Sequence, residues 1–524
     1  MNISRLYHTI RDLQPRQVWY RLWYPVKNKC FRPGAVPNQA VIAAAGFPQI
    51  VFTSLPPHGC FGPQDNVFDF LNISHRFGPH IDWDFDGHGR LWTYNLNYFA
   101  WLQDGPVPVA DRLQTIYQYI AADPATGREP YPISLRGMNW IMFLAAQNIH
   151  DEKIDGFLYR SYQRLAAFPE YHIAANHLLE NAFSLFFAAH YFDHKQWYTL
   201  AEKLLVRELN EQVLADGGHY ERSPMYHSIL LGRLLACIAL AQKSGRFPNE
   251  QLQAFMTGKA GLMTAWLKAF SFTDGSYAMT GDSVPGIAPP PGALIDMAKA
   301  LAINIPVTEL NQSGYRNIKG QDWELLVSLS GPTPAYQPGH AHADALSFCL
   351  QANGQPLIVD TGVSSYEKGA QRLWERSTDA HNTIGIENLS SSDIWHGFRV
   401  GKKAHVFIEA EPGQSITAYH DGYRHMGVIH ERSYRWTNQK IIIEDKIKTQ
   451  KGRKALLHLH FHPDVLLTQT GKNRFIANGI RLSIENESDA QLQEYQFCAG
   501  FNKRTKAQRL RLSAAERIAI VIEF

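Results

Sequence analysis

ANHLLENAFSLFFAAHYF, residues 175–192, decides the reading of the fold. Its apolar residues fall at steps of three and four, the period of a helix and not of a strand. The same period runs through DRLQTIYQYIAA (111–122), NWIMFLAAQNI (139–149), WYTLAEKLLVREL (197–209), YHSILLGRLLACIALAQKSG (226–245) and LIDMAKALAI (294–303). Loops rich in Gly and Pro, such as DGGHYERSP (216–224), separate these segments, so successive helical hairpins stacked in a ring or toroid are expected.

Toward the C-terminus the pattern changes after about residue 312 to short alternating runs, among them WELLVSLS (323–330), SITAYH (415–420), HERSYRWTNQKIIIEDKI (430–447) and RIAIVIEF (517–524). Turns such as NGQP and NGIR separate the runs, which predicts an antiparallel β-sandwich. Pro285–Pro291 resembles a hinge, but the helical LIDMAKALAI follows it, so the boundary falls near Asn311. Residues 1–100 mix Pro, Gly and aromatic residues with little sustained period and predict a loosely regular extension packed on the toroid. The expected fold is therefore α+β and multidomain: an extension (1–100), an incomplete (α/α) toroid (101–311) and an antiparallel β-sandwich (312–524).

At 524 residues the chain exceeds what one core supports, and 45% hydrophobic with 19% charged residues excludes a disordered chain. A net charge of +3 gives no ground for a nucleic-acid partner. Cys30, Cys60, Cys237, Cys349 and Cys498 are scattered without a C-x-x-C pair, so buried free thiols are expected rather than disulfides or a thiolate zinc site. The N-terminus is polar and amphipathic, and the small-residue run Ala40–Phe47 lies too far in to be a signal core, which predicts a cytoplasmic protein. The longest apolar helical stretch, Ile229–Ala241, is short and interrupted by Arg233, so no membrane span is expected. Composition leaves the oligomeric state open.

Three clusters carry chemistry. In NHLLEN, Asn176, His177, Glu180 and Asn181 interrupt an apolar helix, either as an interhelical hydrogen-bond network or as a face lining a cleft, with Glu180 orienting His177. In DGGHYERSPMYHS (216–228), Tyr226 stands at a helix start, where Arg222 and His227 are expected to favour its phenolate. In PGHAHADALSF (338–348), His340, His342 and Asp344 alternate along an extended segment. His342, Asp360 and His381 together offer an N/O donor set suited to zinc, with solvent-facing side chains as the alternative. HLHFH (458–462) reads as a surface-facing histidine row. No Walker-type or dinucleotide-binding glycine motif is present.

The ordered set NHLLEN, ERSPMYH, GHAHAD, Asp360 and RST-x-AHNT (Arg376–Thr383) resembles the heparinase II/III polysaccharide lyases, toroid-plus-sandwich enzymes. The resemblance covers most of the chain from about Leu91 onward. It implies that Tyr226 and His340 are the acid and base, and that Asn176 and His177 engage a uronate carboxylate with Glu180 in support. It further implies that His342, Asp360 and His381 hold a structural zinc, and that the partner is an acidic polysaccharide cleaved by β-elimination. The missing export signal and the aromatic-rich start are similar to lyase-like members that accompany bacterial surface-polysaccharide production; the family resemblance also admits a periplasmic location. Arg136, Asn139, Arg376, Trp395 and Arg399 are candidate sugar contacts, since rings stack on sugar faces and Arg pairs with carboxylate or sulfate. Two rival functions stay open: a toroid glycoside hydrolase, which needs two carboxylates across the scissile bond, and a non-catalytic carbohydrate-binding or accessory protein.

Overall fold

The computed structural model describes residues 3–36, 66–103, 107–449, 453–485, 489–514 and 516–524; Ala40–Phe47 and Cys60 lie outside them. Helices dominate up to Ala300 and strands from Tyr315 onward. The helical part is an incomplete toroid of antiparallel pairs: Pro130–Gln147 packs on Ala175–Phe192, which packs on Lys195–Gln212, while Pro224–Ser244 packs on Glu250–Phe270. Ala175–Phe192 buries nearly every side chain, which is why its apolar residues run all round the helix.

The apolar stretch Ile229–Ala241 belongs to the longer helix Pro224–Ser244. By length and composition this 21-residue helix is apolar enough to cross a membrane, yet 78% of its apolar window is buried inside the protein. Arg233, the interruption in the sequence, faces the buried Glu180 at 3.6 Å.

The sandwich is antiparallel throughout. Its large sheet has eight strands, with Val428–Thr437, Lys440–Thr449 and Arg517–Glu523 at its centre; Tyr434↔Ile443 and Ile443↔Ile520 set their register. A four-stranded sheet carries Ala490–Gly500, Lys503–Ala514, Ala455–His460 and Ile384–Ile386. A second one carries Tyr315–Lys319, Trp323–Ser328, Phe348–Ala352 and Gln355–Ile358. Ala455–His460 is covered on both faces, so His458 and His460 are buried rather than forming a surface row. His458 lies 3.4 Å from Asp379, and His460 is 3.2 Å from the Asn382 side chain.

The extension is more regular than its sequence implies. It forms helices Ile3–Ile10, Pro15–Cys30 and Arg90–Tyr98 and a hairpin, Val67–Phe70 with Ile73–Arg76. Phe68, Phe70, Trp83 and Trp92 join the toroid core, since rings spaced for edge-to-face packing build a core without any strict helical period. The first two helices also touch both domains. Arg5 forms a bidentate pair with Asp393 (2.6 and 2.8 Å) and Lys403 reaches Asp12 (2.7 Å) on the sandwich side. Gln14 donates to Glu211 (2.9 Å) and Gln17 to the Ile173 carbonyl (3.1 Å) on the toroid side.

Candidate active site

The domains meet around a small apolar cluster of Met225, Val284, Val363 and Phe501, with Tyr226 and Tyr366 packed against it. Two local features bring chemistry to that seam. Ser223 caps helix Pro224–Ser244 by accepting from the Tyr226 backbone N–H (3.3 Å), and its hydroxyl donates to the Asp282 carbonyl (2.8 Å). Gly281 has φ +57°, and a Cβ there would lie 3.0 Å from the His340 carbonyl oxygen, so glycine lets the 280–283 loop close on His340. The Asp282 backbone N–H then donates to that same carbonyl (3.0 Å).

Asp282 is the hub. Its fully buried carboxylate accepts from both Arg372 guanidinium nitrogens (2.5 and 2.6 Å) and lies 2.9 Å from His340 Nδ1 and 2.9 Å from His342 Nε2. Burial by itself would raise its pKa, but Arg372, His340 and His342 hold it well below the ordinary carboxylate range. An ionised Asp282 only accepts, so His340 and His342 each direct an N–H at it. The other ring nitrogen, His340 Nε2, lies 3.6 Å from Glu221. The His340 ring lies against Tyr226, with centroids 4.0 Å apart.

Tyr226 holds its proton. Burial raises its pKa far above the ordinary phenol, and the 3.3 Å contact with the Tyr366 hydroxyl offsets this only in part. The expected phenolate support is absent, because Arg222 turns to the Gly331 carbonyl (3.2 Å) and His227 to the His219 N–H and the Met263 carbonyl.

NHLLEN forms a buried hydrogen-bond network in which His177 keeps partial exposure. The Asn176 side-chain amide donates to both Glu221 oxygens (3.0 Å each), which ties it into the chain leading to His340. His177 Nδ1 pairs with Glu170 at 3.1 Å, and its side chain stays about 32% exposed beside Tyr131 (4.4 Å between rings). Burial opposes its charged form, but Glu170, then Glu221 and Glu180, raise its pKa above the ordinary imidazole value. The hydrogen bond expected from Glu180 thus comes from Glu170, which Asn181 holds in place (3.0 Å). Glu180 points to Arg233 and reaches His177 only through longer-range attraction.

Three of the proposed sugar contacts are corrected. Arg136 is buried inside the toroid, donating to the Tyr119 hydroxyl and the Gly127 carbonyl and lying over Tyr119, so it has no surface to offer. Asn139 is buried and donates to the Tyr98 carbonyl (2.8 Å). Arg376 is buried and donates to the carbonyls of Ala341 and Gly397 (2.8 and 2.9 Å), clamping the His340 loop to the 396–399 loop. Trp395 is half-buried and donates to Thr9 (3.1 Å), while exposed Arg399 lies over its ring and beside Arg21. Near them, Phe398 is 42% exposed and touches both His340 and Tyr366. On the toroid side Tyr94, Tyr98, Tyr131 and His177 form a run of ring contacts within electrostatic reach of Tyr226.

At the expected metal position His381 Nδ1 lies 2.8 Å from Asp360, and the rings of His342 and His381 are 5.2 Å apart. His342 Nδ1 and His381 Nε2 are buried without hydrogen-bond partners. Among the described residues no group of three His, Cys, Asp or Glu side chains is arranged to hold a metal, since Asp360 is engaged with His381. The two orphan nitrogens fit a zinc ligand set, and Asp360 as placed fits the orienting carboxylate behind one of them.

Residues 132–287 match the heparinase II/III N-terminus, and residues 303–523 match the heparinase II/III-like C-terminal domain. The chain belongs to the heparinase II/III family. It is 23% identical over 427 residues to a heparin-sulfate lyase of Bacteroides stercoris, covering 71% of this chain and 59% of that protein. It is 24% identical over 305 residues to FtsZ-localized protein C of Caulobacter vibrioides, covering 56% of this chain and 50% of that protein. The chain thus spans about half to three fifths of the length of these curated relatives. In fold it is similar to the crystal structure of a heparinase III, with TM-score 0.65 and 15% identity over 100% of this chain and 94% of that one.

Proposed function

We propose that this member of the heparinase II/III family is a lyase that cleaves a uronate-containing acidic polysaccharide by β-elimination. The observation that carries the reading is the Asp282–His340–Tyr226 arrangement: a histidine held through Nδ1 by a buried carboxylate, its ring centroid 4.0 Å from that of a tyrosine that keeps its proton. The C5 proton of a uronate becomes removable once the neighbouring carboxylate is neutralised. His177, partly exposed and favoured in its charged form by Glu170, suits that task. Asn176 supplies a second donor when its amide turns from Glu221.

His340 Nε2 then takes the C5 proton, and the C5–H electrons form the C4–C5 double bond as the C4–O4 bond breaks. Tyr226 protonates the departing O4. Asp282 stabilises the resulting imidazolium, and the cycle closes when the proton held by His340 returns to the Tyr226 oxygen. On a uronate whose proton and leaving group lie on one side, Tyr226 performs both transfers. Arg399 with Trp395 and Arg21, and the Tyr94–Tyr98–Tyr131 wall, are the proposed flanking contacts for an acidic sugar chain.

We also propose that His342 Nδ1 and His381 Nε2 would hold a structural zinc, with Asp360 orienting His381; a metal bound there would tie the His340 loop to the sandwich. A glycoside hydrolase is disfavoured because Asp282 is buried and committed to Arg372 and two histidines, so it is not available as one of the two carboxylates such an enzyme needs. The accessory-protein reading draws on the relative named for its location at FtsZ rather than for a reaction. The deciding experiment is a screen of uronate polymers and bacterial surface polysaccharides, read by the ultraviolet absorbance of the C4–C5 unsaturated product. Loss of that signal in Tyr226→Phe supports elimination; silence of the wild type on every uronate polymer moves the accessory reading ahead.

A further inference from the structure

Among the described residues, the two N-terminal helices keep large apolar side chains exposed. Helix Pro15–Cys30 docks through one side, where Gln17 is buried, Tyr20 stacks on Tyr171 (4.5 Å) and Tyr24 donates to the Pro169 carbonyl. On its other side Val18, Trp19, Leu22, Trp23 and Val26 are 44, 62, 70, 42 and 53% exposed. With 3.6 residues per turn these five fall within one sector of roughly 140°. Trp19 and Trp23 are stacked on each other, with centroids 6.4 Å apart. Helix Ile3–Ile10 adds Ile3, Tyr7 and Ile10, all exposed. A docked helix normally turns polar groups outward, so this second apolar face has a use outside the fold.

The charge of the segment is as uneven as its hydrophobicity. Residues 1–36 hold seven Arg and Lys against one Asp, a net +6, while the whole chain is +3, so the remainder is net negative. Arg11, Arg21 and Lys29 are exposed on the same two helices and their connection. Arg5 and Arg16 are paired with Asp393 and Glu208 of the body, but Arg21, Lys29 and Arg32 stay exposed, so a second copy pairing by this same face would set like charges against each other.

We propose that this face is a monotopic membrane-binding surface that takes an anionic lipid bilayer. Exposed Trp, Leu and Val suit the headgroup–acyl boundary, and flanking Arg and Lys suit anionic headgroups. Anchoring of the opposite face on the toroid means that the helices are already ordered when they meet the lipid. The bilayer then holds the protein beside a surface without any chain segment crossing it.

The test is flotation of the full chain with vesicles of phosphatidylglycerol and phosphatidylethanolamine, compared with phosphatidylcholine alone. We expect roughly tenfold or greater preference for the anionic vesicles, weakened by salt. Trp19→Ser/Leu22→Ser/Trp23→Ser should lose that binding with unchanged melting temperature, and Arg11→Gln/Lys29→Gln should weaken it and flatten its salt dependence. Absence of wild-type binding to anionic vesicles overturns the proposal, as does binding that the triple variant leaves intact. A wild-type dimer that the triple variant converts to monomer, without lipid binding, reassigns the face to self-association.

Discussion

Asp282→Asn is the most informative single change, because one fully buried carboxylate serves a structural cation and the proposed base at once. Its bidentate contacts with Arg372, at 2.5 and 2.6 Å, lie in a dry interior. Removing one partner of such a pair leaves a buried charge uncompensated, at about 3–5 kcal/mol of stability. Because Asp282 is depressed below its unfolded pKa of about 3.9, its contribution is fully present above that pH and is lost as pH falls through the folded value. The stability gap between wild type and variant should therefore persist at neutrality and close only in acid. The catalytic effect is separate: an amide accepts from one imidazole N–H but not both, and stabilises an imidazolium poorly. By analogy with Asp→Asn beside the histidine of a serine-protease triad, turnover should fall about 10³- to 10⁴-fold. Asp282→Asn/Arg372→Met separates the effects, since removing the stranded cation should restore much of the stability and none of the turnover. Denaturant melts and the unsaturated-product assay measure the two quantities. Turnover within tenfold of wild type in folded Asp282→Asn refutes the reasoning, because His340 would then not depend on its carboxylate partner.

Three further outcomes follow from the same geometry. Tyr226→Phe should abolish elimination while retaining substrate binding, since it removes the hydroxyl that carries the proton and keeps the ring against His340; equilibrium binding of an oligosaccharide and turnover, measured together, check it. Glu170→Gln should move the alkaline limb of the kcat/KM profile to lower pH, because His177 has a raised pKa and its charge is present below the unfolded value of about 6.5 and lost as pH rises through the folded one. If zinc is held at His342 and His381, chelation should lower the wild-type melting temperature, and His342→Ala should both lower it and abolish the response; elemental analysis showing no stoichiometric metal would favour the hydrogen-bonded pair with Asp360 as the complete structure.

The helices and strands were legible because their burial is one-sided or complete, and periodicity records burial directly. Tyr226, His340 and Asn176 stood out because polar groups interrupt apolar or Gly-rich contexts. Asp282 did not, since it lies in a Gly- and Pro-rich loop that reads as a connection and its partners are 58 to 90 positions away in sequence. Glu221 was overlooked beside Arg222, although it is Glu221 that meets both Asn176 and His340. Arg136 misled for a related reason. A guanidinium buried over an aromatic ring and one displayed to a sugar occupy the same kind of helical position, and only the packing of Tyr119 distinguishes them. The paired use of Pro15–Cys30, one side for the body and one left open, was hidden because two apolar faces on one helix blur a single period.

The placement of Asp282 bears on how such a protein can be recombined. The carboxylate is borne by a loop of the helical half, whereas Arg372, His340 and His342 belong to the other half. Neither half by itself carries His340 together with its buried carboxylate partner. A chimera that grafts this toroid onto a foreign sandwich inherits an anion without its cation, or a base without its tether, even when every residue of the proton-transfer pair is retained. Exchange of whole halves is therefore constrained by a buried ionic match at the seam.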